Sequence, residues 1–364
     1  MAIHKGRNEA AEIKMLLQLK IQELCLGLLP DGHRAGKYWI ARNPARQDKN
    51  KGSFWVALSG VPGSWRDEAT GEKGDVWQLI MLAIGCEFRD AVIWAKEWTA
   101  YEDMQPAEFA RQAERVAEQQ RWRAHREAER LQDKRGHAQA TWLRAAQDLS
   151  GTIVEKYLAT RGIVVADLAR PPRAIRAESW HRHAESGKAW PCMMTAMSGP
   201  DGRFWAVHRT WLQHDGSGKA PVDPVRKIWP SFKGATMRLS RGETGLDITT
   251  AVQRGVTEIF VLCEGVEDGL SIALARPDLR VWAAGSLGNL QAIMLPACCR
   301  EVIIAADNDW GKPQAMAQLH AGCEALARQG VRVRVARSPI GKDMNDALMG
   351  GTNGTTQQQA GTAA

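Results

Sequence analysis

The strongest constraint lies in the last third of the chain. Four short apolar runs, Ile259–Cys263, Val281–Ala284, Val302–Ala306 and Val331–Ala336, alternate there with helix-patterned stretches. That alternation predicts a parallel sheet with right-handed crossovers. In an open sheet of this kind, ligands bind outside the carboxyl ends of the strands. Acidic residues stand at two of those ends. Glu264-Gly265 follows the first run, ahead of Val266-Glu267-Asp268, and Asp307-Asn308-Asp309 follows the third, ahead of Trp310-Gly311. Carboxylates two residues apart on extended backbone can face one cation, with Glu264 approaching from a neighbouring strand.

A single acid at a strand end ordinarily caps the next helix. Two acidic pieces in order, each after an apolar strand, call for more, because clustered carboxylates repel one another unless a positive charge neutralises them. Hard oxygen ligands with open positions suit magnesium, or manganese, which keeps waters and shares substrate phosphates. Such an ion can orient an attacking hydroxyl and stabilise charge on a transferring phosphoryl group.

Glu264-Gly265-x-x-Asp268 followed by Asp307-x-Asp309-x-Gly311 resembles the Toprim domain of primases, topoisomerases and related nucleases, over roughly Thr257 to Leu348. The resemblance implies that Glu264 is a metal ligand or general acid/base and that Asp307 and Asp309 bind magnesium. Lys342-Asp343-Met-Asn345-Asp346 is similar to a tail seen in phage and plasmid primases, which implies a further carboxylate, Asp343, near the metal.

The flanks select among Toprim enzymes. The chain has only three tyrosines, Tyr38, Tyr101 and Tyr157, and is short for the strand-gating domains of topoisomerases. The phosphate-binding loop of the ATPase domain that usually accompanies the nucleases is not found. Tyr157-Leu-x-x-Arg161-Gly162 resembles the opening of a primase core. Gly202-Arg-Phe-Trp-Ala-Val-His208-Arg209 resembles a strand that sets an arginine beside the catalytic centre, and Arg226-Lys227-Ile-Trp with Phe232-Lys233-Gly234 resembles a lysine-bearing stretch before the Toprim sheet. Arg161, Arg209, Lys227 and Lys233 are therefore the candidates to hold a nucleoside triphosphate and a template opposite the metal.

Near the N-terminus, Asn43-Pro44-Ala-Arg46, Ser53-Phe54-Trp-Val and Trp65-Arg-Asp67-Glu-Ala-Thr70-Gly71 resemble the zinc ribbon that precedes primase cores. The family's cysteines and histidine would fall near Asn43, Arg46, Asp67 and Thr70. Without thiolate or imidazole ligands there, no tetrahedral zinc site can close, and no zinc is expected. The seven cysteines include no Cys-x-x-Cys pair and read as reduced thiols.

The expected architecture is a multidomain α/β and α+β chain. A degenerate zinc-ribbon-like domain (1–100) leads through a helical linker (101–150) and a small α+β primase subdomain (151–254) to the Toprim parallel sheet flanked by helices (255–349), then a disordered tail (350–364). The linker is expected because residues 102–149 are rich in Ala, Arg, Glu and Gln. A formal charge of +7 and fifteen tryptophans, several beside arginines, suit a single-stranded nucleic-acid partner. No apolar run reaches the roughly 18 residues of a membrane span, and the opening residues lack a secretory apolar block, so a cytoplasmic location away from membranes is expected. The function expected is that of a magnesium-dependent primase of mobile-element type, making short primers on single-stranded DNA from nucleoside triphosphates, with any helicase supplied as a separate partner. A Toprim nuclease and a non-catalytic single-strand-binding module are the alternatives.

Overall fold

The structure, a computed structural model, describes residues 9–46, 52–101, 106–308 and 311–350. The chain divides into two compact units, 1–126 and 127–364. In the first, α1 (Glu9–Leu19) and α2 (Ile21–Leu28) precede β1 (His33–Ala35), β2 (Tyr38–Ala41), β3 (Phe54–Ala57), β4 (Trp65–Asp67) and β5 (Lys73–Gly74), with α3 (Val76–Ile84) and α4 (Phe88–Thr99) after them. The five strands form an antiparallel meander in chain order. Apolar residues at helical spacing on α1 and α3, such as Ile13, Leu17, Leu79 and Ile80, meet Trp39, Phe54, Val56 and Trp65 of the sheet in one core. A capping box starts α3: Asp75 accepts from the backbone of Trp77 and Gln78 while Gln78 accepts from the Asp75 N–H. Gly85, at φ 71°, ends that helix in the left-handed conformation.

The helix-rich stretch expected after this domain is a single helix, α5 (Pro106–Arg144), whose sequence runs through both units. No described helix is long and apolar enough to cross a membrane.

The second unit begins its regular structure with α6 (Ile153–Thr160) and an antiparallel sheet in chain order: β6 (Ile175–Arg182), β7 (Ala189–Ser198), β8 (Phe204–Trp211) and β9 (Arg226–Trp229). There follow β10 (Met237–Arg238), α7 (Ile248–Gln253), β11 (Glu258–Cys263), α8 (Val266–Ala275), β12 (Arg280–Ala283), β13 (Cys299–Ala306), α9 (Pro313–Ala327), β14 (Arg332–Arg337) and α10 (Met344–Leu348). The four apolar runs all become strands of one sheet, ordered β10-β12-β11-β13-β14, in which β11 to β14 are parallel and β10 is an antiparallel edge. Strand alternation splits the side chains between two faces. Val261, Cys263, Val281 and Ala305 pack with α8, α6 and the antiparallel sheet, whereas Phe260, Leu262, Trp282 and Ile304 pack with α9 and α7. A parallel sheet covered on both faces explains the unbroken apolar runs of β11, β12 and β13, whereas the edge strand β14 alternates arginine with apolar residues and is largely exposed.

Candidate active site

The strand order creates the site. From β11 the chain passes to β12 on one side and then crosses to β13 on the other, so the direction of winding reverses between β11 and β13. A crevice opens outside the carboxyl ends at such a reversal. Glu264 leaves β11 and Asp307 leaves β13, and the parallel register pairing Leu262 with Ile304 brings those two ends level. A cleft of about 290 Å³ lies there, lined by the acids Glu264, Glu267, Asp268, Asp307 and Asp343 and the cations Arg161, Lys219, Arg226, Lys312 and Lys342.

Asp343 arrives from the far end of the domain through two amide side chains. The Asn308 side chain donates to the carbonyls of Ser338 (3.0 Å) and Gly341 (2.9 Å), and its N–H donates to the Lys342 carbonyl (2.8 Å), which pins the β14–α10 loop to the end of β13. Asn345, 1% exposed, donates to the Arg161 carbonyl (2.8 Å) and to Ser271 Oγ (3.0 Å), and its N–H bonds Asp268 Oδ1 (3.2 Å). One buried amide thus ties α10 to α8 and to the end of α6. Asp343 both caps α10, accepting from the Asp346 N–H (2.9 Å), and lines the cleft.

The carboxylates differ in electrostatics. Burial, then the charges of Asp343 and Asp307, push Asp268 up to about 7. Burial also works to raise Glu267, but the Lys219 ammonium (2.9 Å) and the Tyr157 hydroxyl (2.6 Å) outweigh it and hold that carboxyl at about 2. Tyr157 of the Tyr-Leu-x-x-Arg-Gly segment is therefore a buried brace for Glu267, and Arg161, four residues on, lines the cleft. Lys219 neutralises Glu267 and Lys342 pairs with Asp307 (3.4 Å), whereas Asp268 is repelled by both Asp343 and Asp307. A hard divalent cation would relieve that repulsion, and the oxygen donors from separate backbone stretches fit one. Among the described residues, no three His, Cys, Asp or Glu already stand at ligating spacing. Asp309 lies outside the described residues.

The other expected cations are placed variously. A recess of about 300 Å³ shares Glu264, Gly265 and Arg226 with the cleft and is lined further by His208, Lys227, Ile228 and Phe232. Lys227 pairs there with Glu185. Lys233 lines a third recess of about 660 Å³ beside Phe232 and Asn289. Arg209 lines none of these three: it lies over Trp211 (5.4 Å) and beside His181 (3.4 Å). Alternation along β8 is the reason, since the neighbouring His208 takes the face toward Glu264. His208 is buried with no partner at Nδ1, and burial lowers its pKa to about 4. Lys219, Arg226, Lys312 and His208 were not singled out from the sequence. Arg226 and His208 each adjoin a residue that was, so the signal was present one position away; Lys219 sits in a Gly-Ser-Gly-Lys loop that carried none.

In the first unit, the positions where the zinc ribbons carry ligands are joined by hydrogen bonds. Asp67, fully buried, accepts from Asn43 Nδ2 (2.9 Å), Arg46 Nη2 (3.1 Å) and the Ala69 N–H (2.9 Å). Thr70 bonds the side chain of Glu72 instead.

Residues 259–353 match the Toprim domain family, and residues 132–239 match a domain of unknown function, DUF7146. No curated protein sequence matches the chain. Among solved structures it is similar to the zinc-binding and RNA polymerase domains of the Aquifex aeolicus primase, at 15% identity over 93% of this chain and 82% of that one, with a TM-score of 0.40. The RNA polymerase domain of Mycobacterium tuberculosis primase DnaG is 17% identical over 61% and 79%, at 0.38. The primase fragment of the bacteriophage T7 primase-helicase is 11% identical over 86% and 96%, at 0.36.

Proposed function

Starting from a Toprim domain at residues 259–353, we propose that the chain is a magnesium-dependent primase that joins nucleotides on a single-stranded DNA template. The observation that carries this reading is the meeting of acids from two strand ends, Glu264 and Asp307, with Asp268 and Asp343 in one cleft that Arg161, Arg226 and Lys312 also line. A nuclease needs to hold one strand, whereas a polymerase must also hold a triphosphate, and these cations suit the second task. The ordered primase-like segments before the Toprim domain support the same choice.

Glu264, Asp307 and Asp309 would hold the divalent ion, with Asp343 beside them. When bound, the ion would neutralise charge on the transferring phosphoryl group and orient the attacking hydroxyl. Arg161 and Arg226 would bind the triphosphate oxygens across the cleft, which places the α-phosphate near the acids. The hydroxyl of the first nucleotide attacks that phosphorus, its proton passes to a carboxylate such as Glu264, and pyrophosphate leaves. Lys227 and Lys233, in the adjoining recesses, would lie along the template or the primer. Any unwinding would come from a separate helicase.

The test is template-dependent dinucleotide synthesis by the full chain on single-stranded DNA with magnesium and all nucleotides. Glu264→Gln and Asp307→Asn should each lower it by about 10²–10³-fold or more, with the fold retained. Undiminished synthesis by both variants would remove the metal-site assignment, and cutting of a labelled strand without nucleotides would replace a polymerase by a nuclease.

A further inference from the structure

The amino ends of the parallel strands, the end of the sheet remote from Glu264 and Asp307, carry a further recess of about 520 Å³ that shares no lining residue with the acidic cleft. Its walls hold Arg170, Arg173, Arg238, Arg241 and Arg280, against a single acidic lining residue, Asp247. Its volume falls in the range of small-molecule sites, about 300–1,000 Å³.

The five guanidiniums are not equivalent. Arg280 opens β12, is 2% exposed, and is neutralised by Glu258 at the start of β11 (2.6 Å). Arg238 lies over the Trp282 ring (4.9 Å) and donates to the Gly199 carbonyl (2.8 Å), but its Nε is buried with no hydrogen-bond partner. Burial, then the nearby Arg280 charge, lowers its pKa, so this cation is held where its charge is disfavoured. Arg170 is fixed at the lip by the carbonyls of Gly242 (2.9 Å) and Glu243 (3.3 Å). Arg173 and Arg241 are exposed at the rim. The Asp247 carboxylate caps α7, accepting from the Thr250 N–H (2.9 Å) and hydroxyl (2.8 Å), and also feels the Arg241 charge, whereas Asp201, the acid acting on Arg238, does not line the recess.

Gathering cations around a concave, half-buried space costs stability unless an anion completes it. Guanidinium forks match phosphate oxygens in pairs. We infer that this recess binds phosphate groups of a nucleotide, carried either by a free nucleoside polyphosphate or by a nucleic-acid strand. The site is separate from the polymerising cleft and stands whether or not that cleft makes primers.

The test is calorimetric binding of inorganic triphosphate to the full chain in EDTA, which withholds from the cleft the divalent cation its acids need to accept a polyanion. The exposed pair Arg173→Glu with Arg241→Glu should weaken binding by about tenfold or more, and Arg170→Ala should weaken it less, with unchanged circular dichroism. Arg328→Ala, an exposed cation that lines neither the recess nor the acidic cleft, should leave it unchanged. Competition by ATP but not by a short oligothymidylate identifies a free nucleotide as the ligand; competition by the oligonucleotide identifies a strand. Equal affinity in wild type and both recess variants, an equal loss in Arg328→Ala, or no triphosphate binding to the wild type would each overturn the proposal.

Discussion

Asp67 in the first unit is buried and Asp268 in the second half-buried, and their surroundings drive them in opposite directions. Burial works to raise the pKa of Asp67, but Asn43, the Ala69 N–H and Arg46 outweigh it and bring it below its ordinary value. Asp268 meets one N–H, from Asn345, and burial, then the charges of Asp343 and Asp307, raise it to about 7. A carboxylate given enough donors is a structural cross-link. One surrounded by its own kind lacks a cation.

Removing the Asp67 cross-link should have the largest effect on stability. Asp67→Ala leaves Asn43 and Arg46 without their shared acceptor and should cost roughly 1–3 kcal/mol, read as lost amide-exchange protection in Phe54–Asp67, with protection of β11 and β13 unchanged. Equal protection in the variant would break the contrast, because Asp67 would then be a passenger.

The opposite outcome is expected for Asp268. Its folded pKa lies above the unfolded value, so ionisation costs the folded state nothing below about pH 4, progressively more as pH rises toward 7, and the full amount beyond. Asp268→Asn should therefore stabilise the metal-free protein by about 1–2 kcal/mol at pH 8 and by nothing near pH 4, measured by urea unfolding in EDTA. For Asp67 the sign reverses: its contribution is present above the unfolded pKa and is lost as pH falls through the depressed one. A variant equally stabilised at both pH values would show that Asp268 is not under charge repulsion.

The smallest effect sharpens the assignment of cations. Arg226→Ala should raise the KM for nucleotide by about tenfold, the loss of roughly one charge-assisted contact, whereas Arg209→Ala, stacked over Trp211 outside the cleft, should change KM little. Equal losses would mean that β8 reaches the substrate by its other face.

What was legible in the chain was the short-range part of the site. Glu264 and Asp307 could be placed at strand ends because an apolar run followed at once by an acid is a local pattern, and each run became a strand of the parallel sheet. The Asn308 and Asn345 clamps were not legible in the same way, since each works on residues distant in sequence: Asn345 bonds Arg161, Ser271 and Asp268. The same holds for the Asn43–Arg46–Asp67 cluster. The lack of zinc ligands could be read directly, but what joins those positions could not.

By itself, the sequence determined the strands, the acids that end them and the order of the segments, because backbone preference and apolar alternation act over a few residues. Tertiary structure alone decided which neighbour of each pair faces the cleft, His208 rather than Arg209, and that Lys219 and Tyr157 would brace Glu267. A one-residue difference along a strand turns a side chain to the opposite face, and only packing against the second sheet selects that face.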